Sequence, residues 1–196
     1  MIDADELAGS APPRPERRRM APWIAGAVLA VLAAFFVMLA SASPDDGTVA
    51  ESPLLGKPAP EAVGELDDGT VFDLSRRKGS WVVLNFFRAD CVPCIEEHPE
   101  LISFVDQQRS LERGAEFYSV VVDDTRDDVE EFFATRGGDW PVVYSDKDSF
   151  SVAFGVAAVP ETWVIDATGV VRVRYVGKVT AESLGVTLQQ LREGGS

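Results

Sequence analysis

Apolar residues recur along this chain in three rhythms, and each predicts a different element. From Ala21 to Pro44 no residue is charged, and Ala, Val, Leu and Phe dominate. A helix there, rising about 1.5 Å per residue, would reach roughly 36 Å, enough for a hydrocarbon core of about 30 Å. Trp81–Phe87 is a short unbroken apolar run and predicts a strand buried on both faces. From Pro93 to about Arg113, Ile95, Leu101, Ile102, Phe104, Val105 and Leu111 fall near helical spacing, with Pro99 expected to interrupt and kink the helix.

The remaining segments fill in the domain. Val63–Leu66 and Val71–Leu74 flank Asp68-Gly69 and predict a β-hairpin. Ala115–Val122 predicts a strand, residues 127–136 a helix stopped by Gly137-Gly138, Trp140–Tyr144 a short strand and Ser149–Phe154 a helical turn. Thr162–Asp166 and Val170–Tyr175 predict a second hairpin across Ala167-Thr168-Gly169. A last helix over Thr180–Arg192 starts on Thr180 as N-cap. Helices alternating with the early strands predict an α/β sandwich around a mixed sheet.

Charge then orients the chain. Arg14, Arg17, Arg18 and Arg19 precede the long apolar run and no basic residue follows it until Lys57. The positive-inside rule therefore assigns residues 1–20 to the cytoplasm, residues 21–42 to a transmembrane anchor and everything later to the outside. A cleaved signal peptide ending at Ala40-Ser41-Ala42 is the alternative. Residues 43–60, rich in Pro, Gly, Ser and Asp, read as a linker, and residues 61–196 as the extracytoplasmic domain. The net charge of -14 argues against nucleic acid as a partner.

Chemistry concentrates at Cys91-Val92-Pro93-Cys94, which holds both cysteines of the chain at a strand-to-helix junction. Two thiols at this spacing can make and break a disulfide, and with no further cysteine they cannot be half of a four-cysteine zinc site. Cys91, at the first turn of a helix, would have its thiolate favoured by free N–H groups and the positive dipole end. Pro93 lacks the N–H that this turn does not use. Cys94, inside the helix, would be the buried resolving thiol. A plain structural disulfide is the bland alternative, but so short a loop gains little from cross-linking. Val159-Pro160 opens a strand after a turn, where either a cis bond or an ordinary trans proline fits. Glu97 shares a helix face with Cys94, as a proton partner for the thiols or as a solvated glutamate.

The run Leu84-Asn85-Phe86-Phe87-Arg88-Ala89-Asp90-Cys91-Val92-Pro93-Cys94, then Pro99, then Gly155 through Asp166 with Val159-Pro160-Glu161-Thr162, resembles the thioredoxin superfamily. More narrowly it is similar to the membrane-anchored TlpA/ResA/DsbE-like oxidoreductases of cytochrome c maturation, over about residues 53–193. The resemblance implies a thioredoxin-like three-layer α/β/α sandwich with a mixed sheet and an N-terminal β-hairpin extension, preceded by one transmembrane helix. It implies that Cys91 attacks, Cys94 resolves, Pro160 is cis beside them, and Glu97 occupies an acidic position this group uses near the thiols. Asn85 stands where many thioredoxins carry a buried acid, so Glu97 is the better proton carrier. Asn85, Asp90, Pro93, Val159 and Glu161 would line the site.

Asp90 departs from the pattern, since Trp is common there. A carboxylate beside Cys91 would disfavour the thiolate unless Arg88 neutralises it. His98 reads as a lone surface histidine rather than a copper ligand, and Asp123, Asp124, Asp127 and Asp128 as caps of a helix start.

The function expected is reduction of disulfides in exported clients, apocytochrome c among them by resemblance, fed by a membrane electron donor such as a thiol–disulfide transporter. No cofactor and no metal is implied. An extracytoplasmic oxidase or isomerase is the first alternative. A peroxiredoxin-like peroxidase would need a threonine where Arg88 stands, and a copper metallochaperone a second histidine.

Overall fold

The computed structural model describes residues 21–41, 47–146 and 149–194, with side chains of the first helix described over Trp23–Phe36. The arginines before the apolar run and the possible cleavage site at Ala42 lie outside the described residues. The chain divides into two compact units, residues 1–43 and 44–196.

The first unit contains helix α1 (Ala21–Ser41), which carries no charge. Among the described residues no helix is long and apolar enough to cross a membrane.

In the second unit the expected elements form with shifts of a few residues at their ends. The strands are β1 (Thr48–Val49), β2 (Val63–Leu66), β3 (Val71–Asp73), β4 (Val82–Phe87), β5 (Glu116–Val121), β6 (Val142–Tyr144), β7 (Glu161–Ile165) and β8 (Val171–Val176). The helices are α2 (Val92–Arg109), α3 (Arg126–Arg136), α4 (Ser149–Phe154) and α5 (Ala181–Gly194). Among the described residues the strands make one sheet in the order β1-β8-β7-β4-β5-β6-β2-β3. β4, β5 and β6 are parallel, because helices connect them, whereas β7 runs antiparallel to β4 and pairs with β8 as a hairpin.

All six residues of β4 are buried, as an apolar run flanked by two strands requires. Val82, Leu84 and Phe86 enter one core with Phe72, Phe150, Phe154 and Trp163. Val83 and Phe87 face the other side, towards Leu101, Phe104 and Leu184 and towards Val129 and Phe132. Helices therefore cover the sheet on both faces, α2, α3 and α5 on one and the short α4 on the other. The N-terminal hairpin β2–β3 turns at Asp68-Gly69, where Asp68 Oδ1 accepts the Thr70 N–H at 2.8 Å and Gly69 takes φ +83°. It joins the sheet beside β6.

Two expectations need amendment. From residue 47 the stretch expected as a linker is built into the domain: Thr48 and Val49 pair with Val176 and Tyr175, and Leu54, Leu55 and Ala59 pack on the core. Its few apolar residues suffice because backbone pairing to the exposed edge of β8 supplies the rest. Helix α2 also runs on through Pro99.

Candidate active site

Side-chain alternation along β4 puts a single polar residue, Asn85, on the face covered by α2. At 1% exposure it must find partners within the protein. Its Nδ2 donates to Glu97 Oε1 at 2.8 Å and to Thr162 Oγ1 at 3.1 Å, Thr162 being its register partner on β7. Its Oδ1 has no partner among the described residues.

Glu97 is equally buried, at 1% exposure, so the reading as a solvated helix glutamate does not hold. The i, i+3 step from Cys94 turns it inward over β4. Its Oε2 accepts the backbone N–H of Val179 at 3.0 Å. Burial pushes its carboxyl up to about 7, against the opposing pull of the Asn85 and Val179 hydrogen bonds and the Lys178 charge.

Cys91 and Cys94 are joined as a disulfide at the start of α2. Cys91 is the N-cap of that helix, with its sulfur 3.3 Å from the Cys94 N–H, and Pro93 lies in the first turn. Cys94 is the more buried of the two, 2% against 8% exposed. The Val159–Pro160 peptide bond is cis, and the Val159 carbonyl oxygen lies 3.6 Å from Cys91 Sγ. A groove of about 580 Å³ runs past Cys91, lined by the charged Arg88, Asp90 and Asp123 and by the apolar Val92, Val156 and Val159.

Arg88 Nε donates to Asp90, and Asp90, with smaller contributions from Asp123 and Asp124, holds Arg88 firmly charged. The anomalous aspartate is thus paired with a cation two residues away. Asp124 turns from the expected capping role to accept the Ala89 N–H at 2.6 Å, tying the β5–α3 loop to the approach to Cys91. Thr125 is the N-cap of α3, with Asp127 and Asp128 in its first turn.

Two residues sit differently from expectation. His98 is buried rather than on the surface, at 4% exposure. Its ring packs against Phe132, Phe133 and Trp140, and Nε2 lies 2.9 Å from the Gly137 carbonyl oxygen. Burial holds it below the usual histidine range. Glu161 follows the cis-proline but points to the face opposite Asn85, where Arg174 grips both its oxygens at 2.9 and 3.0 Å and Trp163 Nε1 donates at 2.8 Å.

Arg174, Lys178 and Val179 escaped the sequence reading. Lys178 and Val179 lie 82 residues from their partners on α2, and Arg174 meets Glu161 only through the register of β8 on β7. The alternation of Arg172 and Arg174 within an apolar strand was the one visible hint.

A family model described as Redoxin matches residues 54–191. The chain is 32% identical over 175 residues to the thiol:disulfide interchange protein DsbE of Vibrio cholerae, covering 88% of this chain and 91% of that protein. It is 30% identical over 141 residues to the thiol-disulfide oxidoreductase ResA of Geobacillus thermodenitrificans, covering 70% and 78% respectively. Among solved structures, a thiol:disulfide interchange protein of the thioredoxin family from Chlorobium tepidum superposes with a TM-score of 0.61 at 26% identity, over 72% of this chain and 98% of that one. A Cys-x-x-Cys disulfide at the start of a helix, beside a cis-proline, in a fold and sequence shared with these proteins, makes the chain a thiol–disulfide oxidoreductase that belongs to the Redoxin family.

Proposed function

We propose that the protein reduces disulfides in exported client proteins, with Cys91 as attacker, Cys94 as resolver and Glu97 as proton carrier. The observation that carries this reading is the buried Glu97 one helical turn past Cys94, with a carboxyl balanced near neutrality by burial. The Cys91 thiolate attacks one sulfur of the client disulfide, forming a mixed disulfide and releasing the other client sulfur as thiolate. Cys94 then gives its proton to the Glu97 carboxylate and attacks Cys91 Sγ, releasing the second client thiolate. Two electrons pass to the client, and the protein is left with its own disulfide. Val159 and Pro160 present the backbone edge along which the client lies, and Asn85 holds the Glu97 carboxyl without itself titrating.

By resemblance, the client class is the haem-binding Cys-x-x-Cys-His of apocytochrome c, and a membrane dithiol donor such as a thiol–disulfide transporter re-reduces the protein. An export location supports the need for such a donor, since no glutathione pool operates there. Helix α1 is uncharged, and its described side chains are exposed on all sides, as in Leu29 and Phe36 at 72%. We assign it to the bilayer as a single-pass anchor through residues 21–42, with the catalytic domain outside the cytoplasm.

The reduction potential of the Cys91–Cys94 couple tests the direction of flow. A value near that of thioredoxin, about -270 mV, fits a reductase, and one near -120 mV would make the protein an oxidase.

A further inference from the structure

The loop between β8 and α5 meets three carboxylates of α2 in order. Lys178 Nζ donates to Glu96 Oε2 at 2.9 Å, the Val179 N–H to Glu97 Oε2 at 3.0 Å, and the Ala181 N–H to Glu100 Oε2 at 3.0 Å. The loop enters through Gly177 at φ +90°, and the Lys178 carbonyl accepts the Gly47 N–H, so the backbone of residue 178 is fixed from a second side. The Lys178 side chain is 20% exposed and Glu96 53%. An ion pair so open on one partner adds little stability. Its consequence lies next door: the ammonium is held on Glu96 and the next residue of the loop, Val179, on Glu97. The Lys178 charge therefore flanks a carboxyl withdrawn from water and adds a small pull to those of the Asn85 and Val179 hydrogen bonds.

Among the described residues, Lys178 is the cation whose charge bears on Glu97. From β4 comes the neutral Asn85, with neutral Thr162 of β7 behind it. From the loop come the Val179 N–H and Lys178. On α2 itself, Glu96 is engaged by Lys178, Glu100 by Ala181, and His98 is turned to Gly137, while Cys94 lies one turn back in the disulfide.

We propose that Lys178 is a positioning residue for the thiol chemistry: docked on Glu96, its ammonium favours the ionised, proton-accepting form of Glu97 and so sets how readily Glu97 takes the proton of Cys94. This rests on the proton-carrying role of Glu97 given above.

The test titrates the Glu97 carboxyl carbon by NMR in the oxidised full-length protein, glutamate-labelled with 13C and held in detergent micelles. The disulfide removes thiol titration from the measurement, and Glu97→Gln identifies the signal by its loss. Lys178→Met should raise the midpoint by a resolvable fraction of a pH unit, since an opposite charge nearby is removed and the Asn85 and Val179 hydrogen bonds remain. Lys178→Arg should restore it. An unmoved midpoint in Lys178→Met, or an equal shift in Lys178→Arg, overturns the inference.

The pH profile of client reduction separates the two readings. It should move upwards in Lys178→Met and be lost as a distinct inflection in Glu97→Gln. If Glu97→Gln leaves the profile intact, the proton-carrier reading falls, and the functional half of this inference with it. If Glu97→Gln alters the profile while Lys178→Met moves neither midpoint nor profile, Glu97 keeps its role and Lys178 has none in it.

Discussion

The Asn85 amide and the Glu97 carboxyl form a buried pair at 2.8 Å, one helical turn past Cys94. One member cannot titrate, so the protonation of this pocket is that of Glu97 alone. A carboxyl in the unfolded chain titrates near its ordinary value of 4.5, whereas burial pushes the folded one up to about 7. The unfolded state therefore gives up its proton first as pH rises.

Stability should accordingly be free of this cost below about pH 4.5, fall as pH rises to about 7, and stay level above. The full cost is about 3 kcal/mol, from 1.36 kcal/mol per unit. Glu97→Gln removes the titration but turns an amide N–H towards a donor, Asn85 or Val179, at a pH-independent cost of about 1–2 kcal/mol. Denaturant unfolding of both proteins between pH 5 and 8 checks this. The advantage of wild type should shrink as pH rises, reverse before about pH 7 because about 3 exceeds about 1–2 kcal/mol, and then level off. A constant difference would mean that Glu97 is not held neutral by burial.

The two cysteines should separate by role. Cys91→Ser should reduce disulfide reduction of insulin or client to background, while Cys94→Ser should accumulate mixed disulfides through Cys91 because nothing remains to resolve them. Mass spectrometry of the trapped adduct reads the outcome. Faster alkylation of Cys94 than of Cys91 in the reduced protein would reverse the assignment.

Much of this site was legible before any fold was known, and the reason is locality. Cys91, Pro93, Cys94 and Glu97 lie within two helical turns, so spacing alone relates them, and the unbroken apolar run of β4 announces its central position. Burial was harder to read. The average polarity of α2 says nothing about which of Glu96, Glu97, His98 and Glu100 turns inward, and His98 was assigned to the surface for that reason. Contacts supplied by the β7–β8 hairpin were invisible, because they depend on a register that sequence does not state. The arm at residues 47–60 was misjudged on composition, since edge pairing of backbone groups needs no apolar side chains.

His98 should give the molecule an acid limb. Burial, helped by the Arg136 charge and opposed by the Gly137 carbonyl, holds its ring below the usual histidine value. The unfolded chain then binds the proton first as pH falls, so stability is lost progressively below about pH 6.5. His98→Gln keeps a donor for Gly137 and deletes this limb. Its unfolding midpoint should be less sensitive than that of wild type between pH 6.5 and 5. Equal acid sensitivity in the two proteins would show that His98 protonates without leaving its aromatic nest.

The Arg174–Glu161 pair makes the sharpest test of what holds the cis-proline strand. Glu161 is 1% exposed and Arg174 19%, and the guanidinium spans both carboxylate oxygens while its Nη1 donates to the Glu51 carbonyl at 3.2 Å. Removing the arginine strands a buried charge, which costs about 3–5 kcal/mol, whereas replacing both partners by apolar residues of similar volume is often neutral. Arg174→Met should therefore destabilise the protein by about that much, and Glu161→Met with Arg174→Met should recover part of the loss, short by the about 1–3 kcal/mol of the buried Trp163 N–H left without its acceptor. Because Glu161 points away from Asn85 and Glu97, the double variant should also keep the wild-type pH profile of disulfide reduction. Recovery of stability with an altered profile would place Glu161 within reach of the thiol chemistry after all. A double variant as unstable as Arg174→Met would locate the loss in packing against Trp163, over whose ring the guanidinium carbon sits at 5.4 Å.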